Sequence, residues 1–364
     1  MPSDRLERIS SHLSCLTLAL FLSLSFALRA WSDDHVMNAH FISVGQANAT
    51  LLEFSCGAIL IDAGAQDNEH VDKLVTYLRS AFQDRPDLNN TLESIIITHN
   101  HIDNKRALRA VVGEFTVNRY IDNGQLTRPG TANPSWVRNN ATTDGRNIVI
   151  REIENSEITD RPDKNGLTDP IIDPVACEGT DPRITALSGR QSGNPGWSDE
   201  DFDNKSNHSI VIRVDFGQAS FLFTGGLEET AIEDLLEFYK DTPTLDVDVY
   251  EVGHHGSHNG TMQELVDAIT PEIAIISVGK WDDGKKSTDR FNAFHYGHPR
   301  KIVVDMLGAA IPEQRSKAKR VRVATAAQNF RTYTVRKKIY ATGWDGTIKI
   351  CATFDRDFRV TSED

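Results

Sequence analysis

Three histidine-bearing segments, two of them set directly after apolar runs, constrain this 364-residue chain more than any other feature. The first, THNHIDN from Thr98 to Asn104, follows Ile95, Ile96 and Ile97. The second, HHGS from His254 to Ser257, follows the run Val247 to Val252, and the third is His298 before Pro299 in YGHPR. Histidines at strand ends, separated by whole strand-and-helix units, are how α/β folds gather one site from distant sequence. Side chains two apart on an extended segment point the same way, so His99 and His101 reach one metal and Asp103 joins them.

The rest of the chain supports that organisation. NAHFISVGQANATLLEFSCGAILIDAG reads as three strands broken at Gly45 and Gly57, because β-branched and aromatic residues recur between turn residues. Val71, Leu74, Val75, Leu78 and Phe82 then follow at helical spacing behind Asp67 and Asn68 as candidate N-caps. A strand from Ser94 to Ile97 delivers the first histidine segment, and Lys105 to Val112 starts the next helix. Residues 114–204 are dense in Asp, Asn, Gly, Pro and Thr, with short strand candidates at Val117–Ile121 and Ile148–Ile153, and read as a loop-rich elaboration. Regularity resumes with two strands, Ile210–Phe216 and Ser220–Thr224, joined at Gly217-Gln218 as a tight hairpin. A helix at Glu228–Tyr239, a strand at Val247–Val252, a helix at Thr261–Ile269 and a strand at Ile273–Val278 follow, and IYATGWDGTIKICATF reads as a closing hairpin around Asp345-Gly346.

The ordered set F-x-x-V-G-Q, I-D-A-G, T-H-x-H-x-D, F-T-G-x-x-E-E, H-H-G-S, S-V-G and G-H-P resembles the metallo-β-lactamase fold. In particular it resembles the soluble domain of that fold in DNA-uptake competence channel proteins and in phosphorylcholine esterases. The resemblance covers residues 36–354 and implies an α/β four-layer αβ/βα sandwich, with a metal-activated hydroxide attacking an ester between its halves. It further implies His99, His101, Asp103 and His255 as metal ligands, His254 beside the substrate, and Asp62 as an orienter of the ligands.

The departures from the pattern are specific. Position 104 is Asn where the resemblance implies His, and a neutral amide is a poor zinc ligand beside imidazole. Position 226 is Gly where it implies a bridging Asp. The third histidine of the first metal position is missing unless His208 supplies it, and Ser43, Ala47 and Asn48 replace Asp, Gly and Asp in the early loop. Glu228 and Glu229 either compensate near position 226 or start a helix, where acids suit the dipole.

Three functions are therefore carried forward. The first is a hydrolase of a phosphoester or other small ester with one divalent metal, zinc before manganese or iron, with His254 or His298 as proton donor. The second is a metal-poor pseudoenzyme or binding module on the same fold, with no metal at all. The third, a nuclease, is disfavoured because a formal charge of −13 repels phosphate backbones. The basic run Arg315 to Val323 reads as a solvated face instead.

Arg5 and Arg8, the apolar stretch Leu13 to Leu28 and the charged Ser32 to Asp34 read as a signal peptide within residues 1–30, implying export to the periplasm or secretion. The alternative is an uncleaved anchor, with no membrane span beyond it. Cleavage leaves Cys56, Cys177 and Cys351, an odd count. Cys56 reads as a buried small hydrophobe, leaving Cys177 and Cys351 as the pair an oxidising compartment would join. Residues 355–364 read as a tail.

Overall fold

A computed structural model describes residues 35–125, 132–285 and 290–363. The signal-peptide or anchor segment of residues 1–30 lies outside the described residues. Two sheets stack face to face. The first has eight strands in the spatial order Phe358–Ser362, Ile348–Thr353, Val36–Phe41, Thr50–Glu53, Ala58–Ile61, Ser94–Ile96, Arg119–Asp122 and Val149–Glu152. The second has six, in the order Ile339–Ala341, Ile273–Ile276, Val249–Glu251, Ala219–Phe223, Ile212–Phe216 and Pro182–Ala186.

The near-continuous apolar strands follow from burial on both faces. Ile59, Ile61, Ile96 and Ile121 of the first sheet meet Phe221, Phe223, Val249, Ile273 and Ile275 of the second in one core between the sheets. The alternate residues Leu60, Ile95 and Tyr120 turn outward, where Leu74, Leu78 and Val111 cover them. On the far side Leu222, Tyr250, Ala274 and Ile276 pack with Ile232, Leu265, Val303 and Leu307. The layers are thus helix, sheet, sheet, helix.

Several expected elements form as read. Helix Asn68–Asp84 is capped by the Asp67 carboxylate, which accepts from the His70 backbone N–H at 3.0 Å. The Gly217-Gln218 turn joins antiparallel strands in which Val214 faces Phe221.

Other elements differ. Within 114–204 the two strand candidates form, as Arg119–Asp122 and Val149–Glu152 of the first sheet, but the stretch also supplies Pro182–Ala186 to the second sheet and a helix at Ala132–Asn140. Residues beyond 354 are not a tail: Phe358–Ser362 pairs antiparallel with Ile348–Thr353 as an edge strand. No closing hairpin forms at Asp345-Gly346. Ile339–Ala341 runs parallel to Ile273–Ile276 in the second sheet, and after a helical turn at Thr342–Asp345 the chain crosses to the first. The turn is fixed by the fully buried Asp345 carboxylate, which accepts from the Ala341 N–H at 3.1 Å and pairs with Arg315 at 2.7 Å and Lys319 at 3.1 Å.

Those two cations belong to the basic run, which is part of a long strand, Gln314–Ala326, paired with Asn329–Lys337 as a separate ribbon. Val321, Val323 and Val335 of the ribbon join the core around Val303 and Leu307, while Lys317 and Arg320 are exposed.

The cysteine pairing is also corrected. Cys56 is exposed in the turn between Thr50–Glu53 and Ala58–Ile61 and forms a disulfide with Cys177, with Cα atoms 5.4 Å apart. Cys351 is buried on its strand opposite Asn38, outside the disulfide. Among the described residues no helix is long and apolar enough to cross a membrane.

Candidate functional site

The site forms where strands Ala58–Ile61, Ser94–Ile96 and Val249–Glu251 end. Its local backbone is strained in a way the sequence permits. Asp62, His254 and His255 all adopt left-handed conformations, with φ of 58°, 48° and 55°, a cost of about 1–3 kcal/mol each for residues with a Cβ. Gly64 is required by close approach: a Cβ there would lie 1.7 Å from the Asp103 carbonyl oxygen. The loop after Ala58–Ile61 is thereby pressed against the loop that carries the first histidine segment.

The expected residues do come together. Asp62 is buried and accepts from the Thr98 N–H at 2.8 Å and the Thr98 hydroxyl at 2.9 Å, and that hydroxyl lies 3.1 Å from His99 Nδ1. His99 Nε2 is 3.1 Å from His101 Nδ1. His255 Nε2 is 3.0 Å from Asp103 Oδ2, and His255 Nδ1 donates to the Ser277 carbonyl at 2.7 Å. His298 Nδ1 meets Gln46 Nε2 at 3.1 Å, and its ring centroid lies 6.2 Å from that of His254 and 6.3 Å from that of His255. His208 stays outside: its two ring nitrogens engage the Phe202 carbonyl at 2.7 Å and the Gln191 N–H at 3.2 Å. Glu228 reaches the site without taking the place of a residue-226 side chain. One of its oxygens sits 3.2 Å from His254 Nδ1, out of line for a hydrogen bond, and the other accepts from Asn204 at 3.0 Å. Glu229 begins a helix.

Burial controls the protonation states. It pushes His254 down to about 4, assisted by the neighbouring His255, and it holds His99 and His298 well below the usual imidazole range. For His255 burial works downward too, but the bond to Asp103 outweighs it and raises the ring. Burial alone would raise the Asp103 carboxyl; the His255 bond reverses this and lowers it.

Positions 226 and 104 depart from the pattern the sequence resembles. A Cβ built on Gly226 would lie 2.6 Å from His99 Nε2 and 2.7 Å from Cε1. The His99 ring therefore occupies the space in which a side chain at 226 would stand. Asn104 is buried, its Nδ2 lies 3.3 Å from the same His99 nitrogen, and its Oδ1 has no hydrogen-bonding partner. The candidate ligands engage one another in pairs, His99 with His101 and Asp103 with His255. Among the described residues no group of three His, Cys, Asp or Glu side chains is arranged to hold a metal ion. This donor set does not fit the two-metal centre, and as arranged it does not converge on one.

Sequence reasoning missed the cavity walls. A cavity of about 560 Å³ opens at these residues, lined by His101, Asp103, His254, His255 and His298, and by Gln46, Ile102, Lys205, Phe291 and Tyr296. Gln46 lay within the V-G-Q motif, whereas Lys205, Phe291 and Tyr296 carried no spacing signal.

Behind the site Glu251 is buried, accepts from the Ser277 hydroxyl at 2.5 Å, and is pushed up to about 7 by burial. Its folded value exceeds the unfolded one, so its stabilising contribution is complete below about pH 4.5 and is lost as pH rises through 7. Glu251→Gln is expected to remove a slope of up to about 1.4 kcal/mol per pH unit in that window. Urea unfolding at stepped pH measures it; an unchanged slope would place the titration elsewhere.

Residues 42–280 match the Metallo-beta-lactamase superfamily. Among curated proteins the chain is 33% identical over 104 residues to ComE operon protein 3 of Bacillus subtilis, covering 29% of this chain and 12% of that protein. It is 40% identical over 81 residues to Recombination protein 2 of Haemophilus influenzae, covering 22% and 10%. The matched region is thus a small part of each relative's length. Among solved structures, the metallo-beta-lactamase fold protein YhfI of Bacillus subtilis covers 66% of this chain and 85% of its own at 12% identity and a TM-score of 0.38. CmlA, a diiron beta-hydroxylase from Streptomyces venezuelae, covers 82% and 54% at 16% identity and a TM-score of 0.41.

Proposed function

We propose, from the premise that this chain belongs to the metallo-β-lactamase superfamily, that it has kept the cleft of the fold as a binding site for a small organic ligand and has given up two-metal hydrolysis. The observation that carries this reading is the His99 imidazole lying over Gly226, with Nε2 2.6 Å from where a Cβ would stand. Two divalent cations need an anionic bridge between them in a partly dry cleft. Here the space for that bridge holds a neutral ring. Asn104 adds a second loss, because an amide does not replace imidazole on zinc.

A second reading, a hydrolase of phosphoesters or other small esters with one metal, is favoured by the intact orienting bonds. Asp62 still holds Thr98 against His99, and the Ser277 carbonyl still orients the His255 ring. Turnover of bis-p-nitrophenyl phosphate with added zinc or manganese separates the two. The binding reading expects no rate above that of the His99→Ala protein; a metal-dependent rate that His99→Ala abolishes would establish the hydrolase.

The chain is further proposed to work in an oxidising compartment, as an exported protein. The Cys56–Cys177 disulfide supports this, since such bonds persist outside the reducing cytosol.

A further inference from the structure

Resting on the reading of the cleft as a binding site, we propose that its ligand is an aromatic anion, its ring seated against Phe291 and Tyr296 and its phosphate or carboxylate drawn to Lys205. Size and shape come first. About 560 Å³ falls within the range of small-molecule sites and accommodates one ring with a charged substituent.

The described lining of the cleft does not share the protein's acidic excess. The chain carries 52 acidic against 39 basic residues, yet Asp103 is the one carboxylate among the described lining residues, and it is bonded to His255. Lys205 adds a positive charge to the same wall. On a chain whose acidic excess repels anions elsewhere, Lys205 is where the cleft offers one a counter-charge. A cationic ligand would meet Lys205, and a neutral one would leave that charge unmatched.

That wall is built for a flat ring. Tyr296 is 42% exposed, one of three large hydrophobic residues so exposed among those described. Its ring stands edge-on to Phe291 at 5.9 Å and 88°, and stacks on His298 at 5.7 Å and 21°. On Phe291 the Arg106 guanidinium lies 5.6 Å from the ring centroid. An exposed aromatic held by two neighbouring rings presents a fixed apolar face at little entropic cost.

Calorimetric titration of the full chain with phenyl phosphate, benzoate, inorganic phosphate and benzyl alcohol tests the proposal. One or both aromatic anions should bind more tightly than either half alone, and the two arms decide between phosphate and carboxylate. Lys205→Gln should weaken the anions about tenfold and leave benzyl alcohol unchanged. Phe291→Ala should weaken the aromatic anions about fivefold and leave inorganic phosphate unchanged, with thermal melts confirming that each variant folds. Aromatic anions that bind no better than their halves, or that ignore Lys205→Gln, would overturn the proposal while the binding reading stands. Metal-dependent hydrolysis of phenyl phosphate would instead uphold the ligand class and overturn the reading of the cleft as a binding site alone.

Discussion

Gly226→Asp is expected to destabilise the protein by about 3 kcal/mol and to leave its metal content unchanged. Restoring the bridging carboxylate that the superfamily resemblance implies would ordinarily be the obvious repair. Here the new Cβ would stand 2.6 Å from His99 Nε2 and 2.7 Å from its Cε1. The ring cannot simply withdraw, because Thr98 holds its Nδ1 at 3.1 Å and His101 meets its Nε2 at 3.1 Å. Overpacking of this kind costs about 1–3 kcal/mol, and a buried carboxylate without a prepared partner adds to it. Adding Asn104→His should not recover the loss, since the position of His99 is the obstacle. Chemical unfolding with elemental analysis of the same samples gives both readouts. A stable Gly226→Asp protein that gains metal would show that His99 yields its place readily.

Breaking the Cys56–Cys177 disulfide is expected to have the largest effect on stability. The bond closes 121 residues of chain separation, and for loops of this length the constraint on the unfolded chain is worth about 4–5 kcal/mol in the entropy account, with about 2–5 kcal/mol typical on removal. It ties the turn beside Thr50–Glu53 to the segment that leads into the edge strand Pro182–Ala186. The double variant Cys56→Ser, Cys177→Ser should therefore melt well below the parent, and reductant should lower the parent's transition to meet it. A parent transition insensitive to reductant would mean that the thiols are not joined. Replacing Cys351 with Ala tests the other pairing: as a buried residue outside the disulfide, it should leave the response to reductant intact.

The sequence was most legible where one physical signal dominated. Alternating apolar strands and the helix behind Asp67 were readable because burial on two faces and a 3.6-residue period leave distinct patterns. The histidine segments were readable as one site because strand ends converge, and Asp62, His99, His101, Asp103, His254, His255 and His298 do share it. Three things were not legible. The pairing of Cys56 depended on the route of residues 170–181, which no local pattern announces. The residues after Ala341 read as a hairpin because Asp345-Gly346 is a turn signal, and the deciding bonds to Asp345 come from Arg315 and Lys319, about thirty residues away. Gly226 read as a missing ligand, whereas the structure makes it a space already filled by His99. A vacancy and an occupied position are indistinguishable in sequence, because both are written as glycine.

The cleft is proposed to have lost the superfamily's metal centre. Elemental analysis of the protein, purified without chelators or a histidine tag and then offered zinc and manganese, tests it most directly. Zinc, manganese and iron are expected far below one equivalent per chain, before and after the metals are offered. One equivalent lost on His99→Ala would contradict the proposal in favour of a one-metal hydrolase, and two would mean that residues other than those at positions 104 and 226 complete the centre.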